Sequence, residues 1–387
     1  MSVDGIVIVG GGLAGQRCAE ALRRGGYERP IKMICAEPHR PYDRPPLSKE
    51  ALTDQQHCSD LPFRPAQWYD DHDVELLLGV SAVGLLPSER RVLLSDHTAP
   101  RYEKLLIATG SRPRALPLLN GFDNVSMLRT VDDCARLRKV LGRAPRLAIL
   151  GAGFIGQEVA ATASKLGAEV TIVEAAPSPL FGVLGPELGG WFARMHREQG
   201  VDVITDATVA GVQGNGDVRA LKLSTGRVVA SDHVIVGIGV DADVAWLRDS
   251  GLDCERGVPA DRDGRTDVED VFAAGDAAAT FDPIIGGHVP GSHWEAAGRQ
   301  GARAARAMLG IAPGAAPVTS FWTDQYGIRI QYLGHARLAD SFTIDGDPSS
   351  RDFTATFTRA GRPVAALLVN RPRSLPAARK LIENGDD

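Results

Sequence analysis

The chain has 387 residues, enough for two or three domains that each bury a core. Its formal net charge of −5 argues against a nucleic-acid or membrane surface as partner, and no apolar run is long enough to span a bilayer. The first apolar strand begins almost at the N-terminus and leaves no room for a secretory signal, so the expected location is the cytoplasm. The cysteines (Cys18, Cys35, Cys58, Cys134 and Cys254) are scattered, odd in number and form no C-x-x-C. They read as reduced packing residues, without the spacing of a zinc site or an iron–sulphur cluster, so no metal is expected.

In chain order, Ile6-Val7-Ile8-Val9 reads as a buried strand, followed by Gly10-Gly11-Gly12-Leu13-Ala14-Gly15 and, downstream, by Glu37. The glycines of such a turn serve a tight bend, close approach of backbone to a pyrophosphate, and close helix–strand packing. The helix start then offers unpaired N–H groups and a positive dipole end to phosphates. The acidic residue accepts hydrogen bonds from an adenosine ribose. Leu105-Leu106-Ile107-Ala108-Thr109-Gly110-Ser111-Arg112-Pro113 reads as a second buried strand with a Gly/Pro exit. The whole pattern then recurs: Leu147-Ala148-Ile149-Leu150, Gly151-Ala152-Gly153-Phe154-Ile155-Gly156, and Glu174. One such motif alone is weak evidence; two in the same context mean two nucleotides held at once.

His233-Val234-Ile235-Val236-Gly237-Ile238-Gly239 reads as the return strand, so the second unit looks inserted into the first. Val271-Phe272-Ala273-Ala274-Gly275-Asp276 follows as an apolar strand ending in Gly-Asp. Asp276 has two readings: the N-cap of an alanine-rich helix, or a carboxylate reaching a ribityl hydroxyl of FAD. Glu174 would repel a 2′-phosphate and accept free ribose hydroxyls, and no arginine stands in Ala175-Ala176-Pro177-Ser178, so NADH is expected over NADPH. No thiol lies between Glu37 and Lys49, where disulfide reductases with two nucleotide domains carry a redox-active thiol beside a flavin, so a flavin held here is expected to be the only redox centre.

The chain resembles the FAD-dependent ferredoxin reductases of the putidaredoxin reductase type, the reductase components of bacterial oxygenase and cytochrome P450 systems. The resemblance runs to about Ile382. Its most specific pieces are Arg40-Pro41-Tyr42-Asp43-Arg44-Pro45-Pro46-Leu47-Ser48-Lys49, Ala108 to Pro113, Gly153-Phe154-Ile155-Gly156-Gln157-Glu158, and Phe321-Trp322-Thr323-Asp324-Gln325-Tyr326. It implies an α/β fold: two Rossmann-like dinucleotide-binding domains, the NAD domain inserted in the FAD domain, and a small C-terminal α/β domain. The expected bounds are 1–114 and 243–316 for FAD, 115–242 for NAD, and 317–387 for the interface domain.

The resemblance also implies an enzyme that takes a hydride from NADH onto non-covalently bound FAD. Electrons then pass singly to a small iron–sulphur protein, a ferredoxin or a rubredoxin. Lys49 matches the family lysine near the flavin N5, where a cation stabilises arriving negative charge. Glu158 would pair with it and meet the nicotinamide carboxamide. Arg44 and Arg129 match arginines near the FAD phosphates and adenine, and Ala82 falls where backbone meets adenine. Further cofactor contacts are expected at Gly239, Gly275 and Asp276, at the helix start His293-Trp294, and at Trp322.

Three departures stand out: Ser178 replaces a usual arginine, His293-Trp294-Glu295-Ala296 replaces an aromatic or valine followed by x-Asn-Ala, and the chain stops at Asp387, where relatives usually continue. A histidine at a flavin-facing helix start would couple flavin potential to pH. The last part of the chain carries Arg329, Arg337, Arg359, Arg362, Arg371, Arg373, Arg379 and Lys380, a candidate steering patch for an acidic carrier. Two other readings stay open: an NADH oxidase that uses oxygen, and a redox-sensing interaction protein of the apoptosis-inducing-factor class.

Overall fold

The structure, a computed structural model, describes residues 5–282, 285–291, 293–312, 314 and 318–383. Ser292 and the expected boundary at 316/317 lie outside them. The chain forms two compact units. One comprises Met1–Asp43, Asp60–Arg112 and Asp241–Ala316; the other comprises Arg44–Ser59, Pro113–Val240 and Pro317–Asp387.

The first unit is built on a five-stranded parallel sheet in the order Val271–Ala273, Tyr102–Ile107, Gly5–Val9, Ile31–Cys35, Val74–Leu78. Ile6 to Val9 are all buried, as expected of a strand covered on both faces. Alternate residues feed two cores. Ile6, Ile8 and Leu106 face the helices Leu13–Arg24 and Trp294–Met308, whereas Val7, Val9 and Ile107 pack with Val92, Leu94, Leu247 and Val258.

The run Ala277-Ala278-Ala279 bears on one of the two readings of Asp276, the helix N-cap. After a single turn at Gly275–Ala277 the chain enters a strand, Ala278–Asp282, paired with Val258–Ala260 and Gly287–Pro290. The alanine-rich helix that Asp276 was to cap does not form. Alanine's helix preference is a few tenths of a kcal/mol per residue, and sheet pairing with two neighbours overrides it.

The second unit holds another parallel sheet, in the order Asp202–Ile204, Glu169–Val173, Arg146–Leu150, His233–Val236, Val125–Ser126. It also holds a five-stranded antiparallel sheet ordered Ser320–Gln325, Ile328–Gly334, Arg362–Val369, Asp352–Arg359, Ser341–Asp347. The helical segment Phe181–Glu198, kinked at Gly185 where φ is 75°, lays Leu184, Leu188, Trp191 and Phe192 against Ile330, Tyr332, Phe353 and Leu367 of that antiparallel sheet. Among the described residues no helix is long and apolar enough to cross a membrane.

Candidate functional site

Both fingerprints use their glycines in three distinct ways. Gly10 and Gly151 have φ of 121° and 100°, and a Cβ there would come within 2.0 Å of the Ala108 carbonyl oxygen and 2.4 Å of that of Gly237. Gly15 and Gly156 press helix onto strand: a Cβ would lie 2.1 Å and 2.3 Å from the carbonyl oxygens of Gly10 and Gly151. Gly12 and Gly153 are different. They are the N-caps of Leu13–Arg24 and Phe154–Lys165, with extended backbone and no capping side chain. A Cβ at either would meet no protein atom within 4 Å. Each helix therefore opens its first N–H groups onto space that the protein leaves empty, which is the cradle a pyrophosphate needs.

The acidic partners sit just beyond the strand that follows each fingerprint helix. Glu37 follows Ile31–Cys35, and its carboxylate accepts from the Tyr42 hydroxyl at 2.5 Å. Glu174 follows Glu169–Val173 and accepts from the backbone N–H of Ala152 at 2.6 Å and of Ala176 at 2.8 Å. Its charge is thus tied to the fingerprint loop itself. Ser178 is buried and packs closely on Gly189, where a Cβ would fall 2.2 Å from its hydroxyl.

In the first unit Asp276 accepts from the Ser111 hydroxyl at 2.7 Å, and the Gly275 N–H donates to Gln300 at 2.8 Å. His293 is the N-cap of Trp294–Met308 and its imidazole makes no capping hydrogen bond. The Trp294 indole donates to Asp43 at 2.6 Å, tying the helix start to the Arg40–Asp43 segment. Ala82 begins a short antiparallel strand, Ala82–Leu86. In the second unit Arg44 donates to the Arg129 carbonyl at 2.7 Å, one residue before the Thr130–Asp133 capping box of the helix Val131–Leu141. Phe154 packs edge-on against Phe321, Ile155 is 48 % exposed, Gly239 has φ of 105°, and the Arg329 guanidinium lies 5.3 Å from the Trp322 ring centre.

The densest chemistry of the second unit surrounds Glu158, in the first turns of its fingerprint helix. The Lys49 ammonium lies 2.8 Å from Oε2, and the side chains of this pair are only 12 % and 5 % exposed. Ser48 donates to the same oxygen at 2.5 Å, and Thr323 donates to Oε1 at 2.7 Å. Neither hydroxyl was singled out from the sequence, although each stands inside one of its four most specific motifs. Next along the helix, Gln157 bonds the Ala152 carbonyl at 2.9 Å and His196 at 3.2 Å. His196, in the last turn of the helix Phe181–Glu198, carried no sequence signal; burial pushes its imidazole down to about 4.

The five thiols are free. Burial pushes Cys35, which lies under the first fingerprint, up to about 12, with Glu37 adding to the shift. A nucleophilic thiolate is disfavoured there.

The family description that matches residues 4–301 is pyridine nucleotide-disulphide oxidoreductase, and residues 320–387 match a reductase C-terminal domain. The chain belongs to this family. It is 39 % identical to the ferredoxin–NAD(+) reductase component of the anthranilate 1,2-dioxygenase system of Burkholderia cepacia, covering 100 % of this chain and 95 % of that protein. It is 36 % identical to the corresponding 3-phenylpropionate/cinnamic acid dioxygenase component of Photorhabdus laumondii, covering 98 % and 96 %. Among solved structures, that of the covalent putidaredoxin reductase–putidaredoxin complex matches with a TM-score of 0.95 at 31 % identity, covering 99 % of this chain and 94 % of that one.

Proposed function

We propose that the protein is an NADH-dependent flavoprotein reductase that takes a hydride onto FAD and passes electrons singly to a ferredoxin feeding an oxygenase or cytochrome P450. The observation that carries this reading is the pair of open glycine cradles, where a Cβ would meet no protein atom, each with its own ribose carboxylate, beside a Cys35 thiol that burial keeps protonated. Bound FAD supplies the chemistry that joins a two-electron donor to a one-electron acceptor.

The protein's part is to hold and orient. Gly10, Gly12, Leu13, Ala14, Gly15, Glu37, Arg44, Ala82, Arg129, Gly275, Asp276, His293, Trp294 and Trp322 serve FAD. Gly151, Gly153, Phe154, Ile155, Gly156, Glu174 and Gly239 serve NADH, and Lys49 and Glu158 assist hydride transfer. The corresponding division is residues 1–114 and 243–316 for FAD, 115–242 for NAD, and 317–387 for the acceptor. The free thiols fit a reducing compartment, the cytoplasm.

The carrier-docking patch is thinner than the sequence suggests, because Arg329 pairs with Asp324, and Arg371 with both Asp345 and Asp352. The test is NADH-driven cytochrome c reduction by the holoenzyme with and without a ferredoxin from the same source. A large rate increase that requires the ferredoxin is expected; reduction of the flavin with no acceleration by any carrier would overturn the acceptor assignment.

A further inference from the structure

A carboxylate offers about four lone-pair directions to donors. In Glu158 three are taken by this chain: Thr323 on Oε1, and Ser48 and Lys49 on Oε2. The donor directions are fixed by further bonds. The Thr323 hydroxyl accepts from the Gln325 amide at 3.1 Å, so its single proton points to Glu158. The Ser48 hydroxyl is 2.5 Å from Glu158 but 3.4 Å from the Pro45 carbonyl, and the Ser48 carbonyl is itself held at 2.8 Å by Thr162, one turn along the Glu158 helix. Glu158, Thr323 and Gln325 are buried, which shields these bonds from bulk solvent.

The same strand end also holds the neighbouring residue. The Tyr326 hydroxyl bonds His196 Nδ1 at 2.7 Å, His196 Nε2 bonds Gln157 Oε1, and the Gln157 amide donates to Ala152 in the fingerprint loop. With Nε2 protonated, every bond in that relay runs in one direction. Two consecutive helix residues, Gln157 and Glu158, are thus anchored by the run Thr323–Tyr326 of the antiparallel sheet.

We propose that Thr323, aided by Ser48, is a positioning residue of the nicotinamide site, aiming the one remaining lone pair of Glu158 at an N–H donor, the carboxamide of the reduced nicotinamide. This rests on the NADH reading of the second fingerprint. It makes the antiparallel sheet part of dinucleotide selection, beyond any role in carrier docking.

The test uses holoenzyme of wild type, Thr323→Val and Thr323→Ser. Flavin reduction is followed by stopped-flow absorbance with NADH and with reduced 3-acetylpyridine adenine dinucleotide, which has a ketone in place of the carboxamide and no N–H to give. Binding of the unreactive tetrahydro-NADH is measured by calorimetry. Loss of one hydrogen bond to a charged group predicts about tenfold weaker tetrahydro-NADH binding and about tenfold slower reduction by NADH in Thr323→Val. Thr323→Ser should recover to within about twofold, and the acetylpyridine analogue should lose little in either variant.

Equal losses with both dinucleotides, or no loss with either, would overturn the proposal while leaving the NADH reading intact. Wild-type flavin that NADH does not reduce would instead remove the reading on which it rests. A Thr323→Val protein with lowered thermal midpoint is decided by the analogue ratio, since general loosening slows both dinucleotides together.

Discussion

Gly153→Ala separates the folding role of the second fingerprint from its binding role. At this position φ is −73° and ψ is 179°, a conformation alanine adopts freely, and the new Cβ meets no protein atom within 4 Å. The folded state therefore gains no strain, while the unfolded chain loses freedom, so stability should hold or rise by about 0.4–1 kcal/mol. The methyl group nevertheless occupies the space into which the helix N–H groups open. Displacing a pyrophosphate by even part of an ångström costs charge-assisted hydrogen bonds of about 1.5–3 kcal/mol each, so NADH binding should weaken by about ten- to a hundredfold.

Gly151→Ala supplies the opposite case. Its φ of 100° and the 2.4 Å approach to the Gly237 carbonyl mean that backbone must move, so it should lose stability as well as binding. Urea unfolding and the concentration dependence of flavin reduction by NADH measure the two effects. If Gly153→Ala binds NADH as wild type does, or loses as much stability as Gly151→Ala, the assignment of the open cradle to the pyrophosphate is wrong.

Glu174→Gln keeps an acceptor for the Ala152 or Ala176 N–H but removes the charge beside the loop. Discrimination between NADH and NADPH, read as the ratio of kcat/KM values, should fall by about tenfold; an unchanged ratio means that Glu174 does not face the ribose. Lys49→Met removes the cation from a nearly buried pair and leaves Glu158 with its two hydroxyl donors. Flavin reduction in rapid mixing should slow by about tenfold or more, and an unchanged rate would sink the role of the pair.

His196 titrates at about 4 in the fold against 6.5 unperturbed. A depressed imidazole contributes stability that is fully present above pH 6.5 and is lost as pH falls toward 4, at up to about 1.4 kcal/mol per pH unit. Urea midpoints at several pH values should show this slope in wild type and a shallower one in His196→Gln; parallel slopes would refute it.

What the sequence by itself determined is what lies close along the chain. A strand, a glycine turn, a helix start and a carboxylate some twenty residues on form one local unit, because each glycine answers to the backbone beside it. Two such units were legible, and so was a stretch without cysteine between Glu37 and Lys49.

The tertiary structure decided what distant segments do together. Ser48 and Thr323 meet Glu158 across 110 and 165 positions of chain, and His196 meets Tyr326 across 130. No periodicity encodes such meetings, since they follow from how the antiparallel sheet and the fingerprint helix pack within one unit. The same holds for the alanine run Ala277–Ala279, which suits a helix, but whose last two residues enter the strand Ala278–Asp282 through its neighbours on both sides. Local propensity is worth tenths of a kcal/mol per residue, and pairing with two flanking strands outweighs it.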